Sequence, residues 1–252
     1  MQIKQNTILI TGGSSGIGLA MAEAFIQAGN SVIICGRRES KLHEAQQKLP
    51  QLDVYVSDVS DRSQRERLFK EVSSKFPQIN ILVNNAGIQK ETDFLSGAQN
   101  LYDGESEVDT NFTSAVQLSA LFIPYFIKAD KECAIVNVTS GLAFIPLKII
   151  PVYCATKAAL HSFSMTLRSQ LVGTNIKVFE IIPPIVKTEL HRGEQAQKQA
   201  ERGISPERVA NSTLKALKKD RYEKSVGQGG DLKVASRLAP HFFHKLLNKL
   251  VS

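Results

Sequence analysis

The sequence predicts an α/β fold in which a doubly wound, mostly parallel sheet lies between two layers of helices. Short apolar segments rich in β-branched residues alternate with amphipathic segments of helical period, which is typical of parallel strands joined by crossover helices. Most strand segments are almost continuously apolar, as expected when helices cover both faces of a sheet. No linker, internal repeat or low-complexity segment divides the 252 residues, so we expect residues 1–252 to form one domain.

The alternation predicts where the strands and helices lie. The predicted strands are residues 7–11, 31–35, 53–57, 79–83, 134–139 and 177–182, with a short seventh at 223–226. The predicted helices are residues 17–28, 40–48, 62–75, 105–128 and 152–172. Another helix is expected to begin at Pro206, with Ser205 as its N-cap. The polar segment at about 187–205 is predicted to be a mobile substrate lid, and a basic amphipathic helix is predicted at about 232–251.

The composition limits the partners of the chain. A net charge of +7 raises nucleic acid and anionic membrane as possibilities, but many enzymes are mildly basic, and no zinc-finger or aromatic-rich RNA-binding motif is present. We therefore expect no nucleic-acid partner. The three cysteines have neither metal-binding nor disulfide-framework spacing, and no secretory signal or membrane-length apolar stretch is found. A cytoplasmic location without a bound metal is expected.

The first predicted strand runs into a glycine-rich turn, Thr11-Gly12-Gly13-Ser14-Ser15-Gly16-Ile17-Gly18. Glycines allow a tight turn and close backbone approach to a pyrophosphate, and the helix that follows directs its N-terminal N–H groups at the phosphates. A glycine cluster in the first strand–helix unit predicts dinucleotide binding in a Rossmann fold. The residues expected to bind it are Gly12, Ser14, Ser15, Gly16, Ile17 and Gly18.

The spacing G-x-x-x-G-x-G in this turn resembles that of the short-chain dehydrogenase/reductase superfamily, and the resemblance extends over almost the whole chain. Asp58 and Val59 follow the third predicted strand, where family members contact the adenine ring. The segment Asn84-Asn85-Ala86-Gly87 follows the fourth strand, where the family packs its backbone under the cofactor ribose. The resemblance therefore implies that Asp58, Val59, Asn85, Ala86 and Gly87 bind the cofactor.

The end of the second predicted strand indicates which nicotinamide cofactor is used. An acid there would bind the ribose hydroxyls of NAD(H), but the sequence has Gly36, Arg37 and Arg38. Arginine pairs with a 2′-phosphate, so NADP(H) is expected and NAD(H) is disfavoured, with Arg37 as the main contact. A solvated arginine pair at a helix start is the alternative. The basic residue that many NADP members carry within the glycine turn is missing, since Ser14 and Ser15 stand there.

Three residues match the chemistry of carbonyl reduction. Ser140 follows the fifth strand, and Tyr153 and Lys157 are four residues apart, so they share one helix face. Reduction needs a proton as well as a hydride, and a nearby ammonium is expected to lower the high pKa of a tyrosine. We expect Tyr153 to be the acid/base, Lys157 to activate it and bind the nicotinamide ribose, and Ser140 to hold the substrate oxygen. Tyr153 is also expected to be among the residues that bind the cofactor. An intact but inactive site is the alternative.

The resemblance implies two further groups of residues. Asn111 matches the fourth catalytic position of the family, where an asparagine orders a water that links the lysine to solvent. Pro183, Val186 and Thr188 match the segment that meets the nicotinamide amide, although Pro184 replaces the glycine usual in the family. The pair Pro183-Pro184, together with the segment 237–240 (Arg-Leu-Ala-Pro), resembles the DltE-like subgroup of bacterial oxidoreductases.

The sequence therefore predicts an NADP(H)-dependent oxidoreductase acting on a small-molecule carbonyl or secondary alcohol. The apolar segment 142–150 favours an apolar or amphipathic substrate, although packing against a neighbouring subunit is an equal alternative. A homodimer or homotetramer is expected. Two other functions are retained: an NADP(H)-binding sensor with little turnover, and a reductase held at a membrane by its basic C-terminal helix.

Overall fold

A computed structural model describes residues 1–102, 104–190, 203–227 and 229–249 of the chain. Its core is a seven-stranded sheet in the order β3-β2-β1-β4-β5-β6-β7, and every pairing is parallel. The chain order reverses between β1 and β4, so the sheet is doubly wound and the predicted fold class is confirmed. The strands are β1 Thr7–Thr11, β2 Ser31–Gly36, β3 Leu52–Val56, β4 Ile81–Asn84, β5 Cys133–Val138, β6 Ile176–Ile182 and β7 Glu223–Ser225.

Helices cover both faces of this sheet. The helices are α1 Gly16–Gln27, α2 Glu39–Lys48, α3 Arg62–Lys75, α4 Gln99–Tyr102, α5 Ser114–Ile127, α6 Pro151–Gln170, α7 Pro206–Lys218, α8 Gly229–Leu238 and α9 Pro240–Lys249. Short 3₁₀ turns lie at Phe94–Ser96 and Gly141–Ala143, and a π-helical turn at Asp109–Thr113. As predicted, Ser205 occupies the N-cap of α7 and Pro206 its first position, but the serine hydroxyl makes no capping hydrogen bond.

Side-chain alternation along the strands divides the core into two apolar clusters. Ile8 and Ile10 of β1 point to one face and pack with residues of α1 and α7. Leu9 points to the other face and packs with residues of α3, α5 and α6. Two buried faces explain why the strands read as continuous apolar runs in the sequence.

The structure corrects two predicted helices. The helix expected at 105–128 contains the π-helical turn Asp109–Thr113 before α5 begins. The C-terminal helix expected at about 232–251 is two helices, because Pro240 cannot donate a backbone hydrogen bond and starts α9 after a break at Ala239. Of the predicted lid at about 187–205, residues 191–202 lie outside the described residues. Within the described ranges, no helix has the length and apolarity required to cross a bilayer.

Candidate active site

A cleft of about 1060 Å³ opens where the carboxyl ends of the strands meet. Ser140, Tyr153 and Lys157 line it, together with every predicted cofactor residue except Gly18. Asn111 is buried and does not line the cleft. The sequence motifs, which are spread from residue 12 to residue 188, are thus brought together in one place.

The glycine turn is shaped by close backbone contacts. Gly12 has φ +63° and Gly16 has φ +54°, the left-handed region that glycine tolerates best. A Cβ at Gly12 would lie 2.9 Å from the Cα of Ala86, and a Cβ at Gly18 would lie 2.3 Å from the carbonyl oxygen of Gly12. Gly18 therefore lets α1 pack under the turn, which explains why it does not line the cleft.

Asn85 ties the segment after β4 to the same turn. Its Nδ2 donates to the carbonyl oxygens of Thr11 and Gly12 at 3.0 and 3.2 Å. The backbone N–H groups of Asn85 and Ala86 both donate to the Thr11 hydroxyl at 3.0 Å. These bonds satisfy buried backbone groups and fix the floor of the cleft.

The strand-to-helix geometry places the three catalytic candidates together. Ser140 follows β5, and its hydroxyl accepts a hydrogen bond from the Leu142 N–H at 3.1 Å and also bonds the phenol of Tyr153. Tyr153 and Lys157 lie one turn apart on α6. The Lys157 Nζ donates to the Val138 carbonyl oxygen at 2.9 Å and lies 5.7 Å from the centre of the Tyr153 ring.

The electrostatics of Tyr153 differ from the sequence-based expectation. Burial raises the pKa of this phenol above its usual value, and the hydrogen bond from Ser140 opposes that rise. The nearby Cys154 and Glu107 add to the rise, and Lys157 does not offset it, because its ammonium donates to a backbone carbonyl instead of to the phenol. Tyr153 is therefore a protonated phenol near neutral pH, the form that can give a proton to a carbonyl oxygen.

Burial also lowers the pKa of Lys157 to about 8, because the ammonium loses its hydration. In an unfolded chain this group titrates near pH ~10.4, so between the two values the unfolded state binds more protons than the folded state. This lysine alone therefore raises the free energy of unfolding by about 1.5 kcal/mol from pH 8 to pH 9.5. The three buried cysteines act in the opposite direction over this range, because unfolding exposes thiols that ionise near pH ~8.5. The effect of Lys157 is therefore measured by urea unfolding as a difference between two proteins.

Lys157→Met is the matched control for that measurement, since it keeps the length of the side chain and removes the titrating group. From pH 8 to pH 9.5 the stability of the wild-type protein relative to the variant should rise by about 1.5 kcal/mol, since the cysteines contribute equally to both proteins. A stability difference that does not change with pH would contradict the assignment to Lys157. The range stops short of the pH at which an unfolded tyrosine ionises, because Tyr153 would then change stability in the opposite direction.

Asn111 lies in the π-helical turn and positions a neighbouring loop. Its Oδ1 accepts from the Ile88 N–H at 2.8 Å, and its Nδ2 donates to the Ile88 carbonyl oxygen at 2.9 Å and to the Thr156 hydroxyl at 3.1 Å. Gly87 lies between it and the lysine, since a Cβ there would be 3.4 Å from the Asn111 Oδ1 and 3.6 Å from the Lys157 Nζ. Asn111 is thus a fully bonded positioning residue, and its water-ordering role stays a prediction.

The two arginines make ion pairs that the sequence did not indicate. Arg37 pairs with Glu105 at 2.7 Å, and Arg38 pairs with Glu189 at 3.0 Å. Arg38 also donates to the Ser15 hydroxyl at 3.2 Å, which brings a cation to the glycine turn although the turn itself contains none. The pairs join residues as far as 151 positions apart, so no local pattern could reveal them.

The end of the cleft near Tyr153 is apolar and is closed in part by the C-terminal helices. Sequence reasoning did not place these helices there. Leu147, Ile150, Tyr153 and Cys154 form a buried cluster. Partly buried side chains pack on it, namely Leu142, Ile149, Leu190 and Leu247. Leu147 and Ile150, within the predicted apolar segment 142–150, are therefore buried inside their own chain, although Leu142 and Ile149 are only partly covered.

The cysteines offer no reactive thiolate. Cys35, Cys133 and Cys154 are buried and unpaired with one another. Burial raises the pKa of Cys35 to about 12 and those of Cys133 and Cys154 to about 11. Within the described ranges, no three histidine, cysteine or acidic side chains are grouped so that they could hold a metal ion.

Comparison with known proteins agrees with the motifs. Residues 6–199 match the family model for short chain dehydrogenases. The chain is 50% identical over 238 residues to the Bacillus subtilis (strain 168) protein named "Uncharacterized oxidoreductase DltE", covering 94% of each chain.

Solved structures show the same fold. A short chain dehydrogenase/reductase from Burkholderia phymatum in complex with NAD aligns with a TM-score of 0.86 at 20% identity, over 98% of this chain and 96% of that one. A short chain dehydrogenase from Burkholderia cenocepacia in complex with NADP aligns with a TM-score of 0.82 at 22% identity, over 98% and 99%. As the sequence predicts, the chain belongs to the short-chain dehydrogenase/reductase family of oxidoreductases and resembles its DltE-like members.

Proposed function

We propose that this protein transfers a hydride between NADP(H) and the carbon of a carbonyl or secondary alcohol, with Ser140, Tyr153 and Lys157 as catalytic residues. The observation that carries the proposal is that these side chains and the glycine turn line one cleft. The turn fits a dinucleotide, because it lines the cleft at the N-terminus of α1, where free backbone N–H groups bind phosphates.

The cofactor supplies or accepts the hydride when it is bound. In the reducing direction the neutral Tyr153 phenol gives its proton to the substrate oxygen, so that the carbonyl gains one hydride and one proton and becomes an alcohol. Ser140 donates its one hydroxyl hydrogen to that oxygen in place of its bond to Tyr153. Lys157, charged below its pKa of about 8, would hold the cofactor ribose beside Tyr153. In the oxidising direction the same residues accept the proton.

The substrate is proposed to be apolar or amphipathic, because leucines line the end of the cleft near Tyr153. We expect NADPH oxidation with a panel of carbonyl compounds to give the highest kcat/KM for those with an apolar chain. Absorbance at the NADPH maximum measures the rate. A preference for small polar polyols or their ketones would contradict the substrate class. No turnover of any carbonyl or alcohol, with NADP(H) still bound, would favour the sensor function.

Arg37 and Arg38 support NADP(H) as the cofactor. We expect Arg37→Asp to weaken NADP⁺ binding by about 10- to 100-fold, because it removes a charged hydrogen-bond donor from the 2′-phosphate. NAD⁺ binding should not weaken, because NAD⁺ has no 2′-phosphate and its ribose hydroxyls can donate to an acid. Calorimetric titration of both cofactors measures this.

Arg62→Asp is the matched control for Arg37→Asp, since Arg62 is an exposed arginine on α3 that pairs with Glu66 outside the cleft. It changes the net charge equally and should leave both affinities unaltered. Equal NADP⁺ affinity in wild type and Arg37→Asp would refute the choice of cofactor.

A cytoplasmic location and a homodimer or homotetramer complete the proposal. Sedimentation velocity tests the oligomeric state.

A reductase bound to a membrane surface is a second candidate function. The C-terminal helices expose apolar residues every four positions, namely Val234, Leu238, Phe242 and Leu246, and no acid follows Asp231. The membrane function would be supported if the wild-type protein sediments with anionic vesicles and the double variant Phe242→Ser/Leu246→Ser does not. Absence of vesicle binding by the wild-type protein would exclude the membrane function.

A further inference from the structure

Two ion pairs line the cleft at the end where Arg37 and Arg38 lie. Glu105 bonds Arg37 at 2.7 Å, and Glu189 bonds Arg38 at 3.0 Å. The side chains of all four residues are partly exposed, from 33% for Arg37 to 58% for Glu189. Carboxylates thus already hold the two guanidinium groups that would receive an anionic ligand.

The two glutamates come from different segments of the chain. Glu105 precedes the π-helical turn that contains Asn111. Glu189 follows Thr188, whose side chain lies against Gly16 of the glycine turn, where a Cβ would be 3.0 Å away. Glu105 and Thr110 line one part of the cleft wall, and Glu189 and Leu190 line another. Leu190 also packs on the apolar cluster that contains Tyr153. Each ion pair therefore connects an arginine to a second segment of the cleft wall.

The charges around this point are nearly balanced. Lys41 of α2 also faces Glu189 and Arg38, but it is bonded to Glu44 at 2.9 Å. A phosphate of charge about −1.5 to −2 pairs with an arginine more strongly than a single carboxylate does, and it repels nearby carboxylates. An anion entering here would displace Glu105 and Glu189 from the arginines.

We propose that Glu105 and Glu189 compete with the 2′-phosphate of NADP(H) for Arg37 and Arg38, and so set the affinity of the protein for NADP(H) but not for NAD(H). The inference rests on the proposed use of NADP(H). NAD(H) has a neutral hydroxyl at this position and leaves both ion pairs in place. Binding of NADP(H) releases the segments that carry Glu105 and Glu189, which couples cofactor choice to those parts of the cleft wall.

Calorimetric titration of NADP⁺ and NAD⁺ tests the competition without measuring activity. Exposed ion pairs are weak, so we expect Glu105→Gln and Glu189→Gln each to tighten NADP⁺ binding by about two- to fivefold, and their effects to multiply in the double variant. NAD⁺ affinity should stay the same. Glu66→Gln is the matched control, because it removes one negative charge from an ion pair on α3 and should change neither affinity.

A double-mutant cycle tests whether Glu105 acts on NADP⁺ binding through Arg37. In an Arg37→Ala background, Glu105→Gln should no longer tighten NADP⁺ binding, because the group it competes for is absent. An equal gain in both backgrounds, an equal gain for NAD⁺, or no gain in either glutamate variant would overturn the competition. If Arg37→Ala and Arg38→Ala leave NADP⁺ affinity unchanged, the proposed cofactor is wrong, which is a separate outcome.

Amide hydrogen exchange tests the coupling. NADP⁺ should change the exchange of residues 104–113 more than NAD⁺ does at equal saturation, and Glu105→Gln should remove that difference. The same exchange pattern with both cofactors in the wild-type protein would overturn the coupling.

Discussion

Replacing Tyr153 with phenylalanine should lower kcat by at least about 100-fold, because it removes the group that transfers the proton to or from the substrate oxygen. The phenol is buried and its oxygen is bonded to Ser140, so loss of that oxygen should leave the ring packed against Leu147 and Ile150. Cofactor affinity should change by less than about threefold, since the lost hydroxyl takes part in proton transfer to the substrate. Steady-state kinetics and calorimetric titration measure the two quantities.

Tyr125→Phe is the matched control for that substitution. Its hydroxyl donates to the Pro77 carbonyl oxygen at 2.8 Å on the surface of α5, so the same atom is removed at a position outside the cleft. The control should keep wild-type kcat. Equal rates for wild type and Tyr153→Phe would show that another group supplies the proton and would refute the mechanism.

Much of the fold follows from local patterns in the sequence. The apolar runs at 7–11 and 31–35 predicted buried parallel strands because both faces of such strands are covered, and the structure pairs them residue for residue, from Thr7 with Ser31 to Thr11 with Cys35. The common face of Tyr153 and Lys157 followed from helical spacing alone. These features depend on residues that are near neighbours in the sequence.

Features that depend on distant residues could not be predicted in this way. The pairing of Arg38 with Glu189 requires the tertiary fold, because the two residues are 151 positions apart. The direction in which the pKa of Tyr153 shifts depends on how deeply the phenol is buried. The spacing of Tyr153 and Lys157 does not reveal that burial. The π-helical turn around Asn111 has no helical-period signature of its own, because it inserts into a segment that otherwise reads as a continuous helix.

Replacing Gly18 with alanine should lower the free energy of unfolding by about 2–3 kcal/mol and weaken binding of either nicotinamide cofactor by at least about 10-fold. The added methyl group would lie 2.3 Å from the Gly12 carbonyl oxygen and 2.6 Å from the Asn85 Nδ2. Alanine is favoured over glycine inside a helix by about 1 kcal/mol, but that gain is smaller than the cost of the clash. The clash involves a backbone oxygen that cannot rotate away, so α1 or the turn must move.

Gly36→Ala separates this clash from the general effect of adding a methyl group near the cleft. A Cβ at Gly36 would have ordinary contacts, the nearest at 3.4 Å from the Ser14 hydroxyl. The free energy of unfolding should therefore change by less than about 0.5 kcal/mol. Urea unfolding and cofactor titration of both variants decide the matter. If Gly18→Ala were as stable as Gly36→Ala and bound cofactor as wild type does, close packing of α1 under the glycine turn would not be what forms the phosphate site. Gly18 would then be needed for neither stability nor binding, although it completes the glycine spacing of the family.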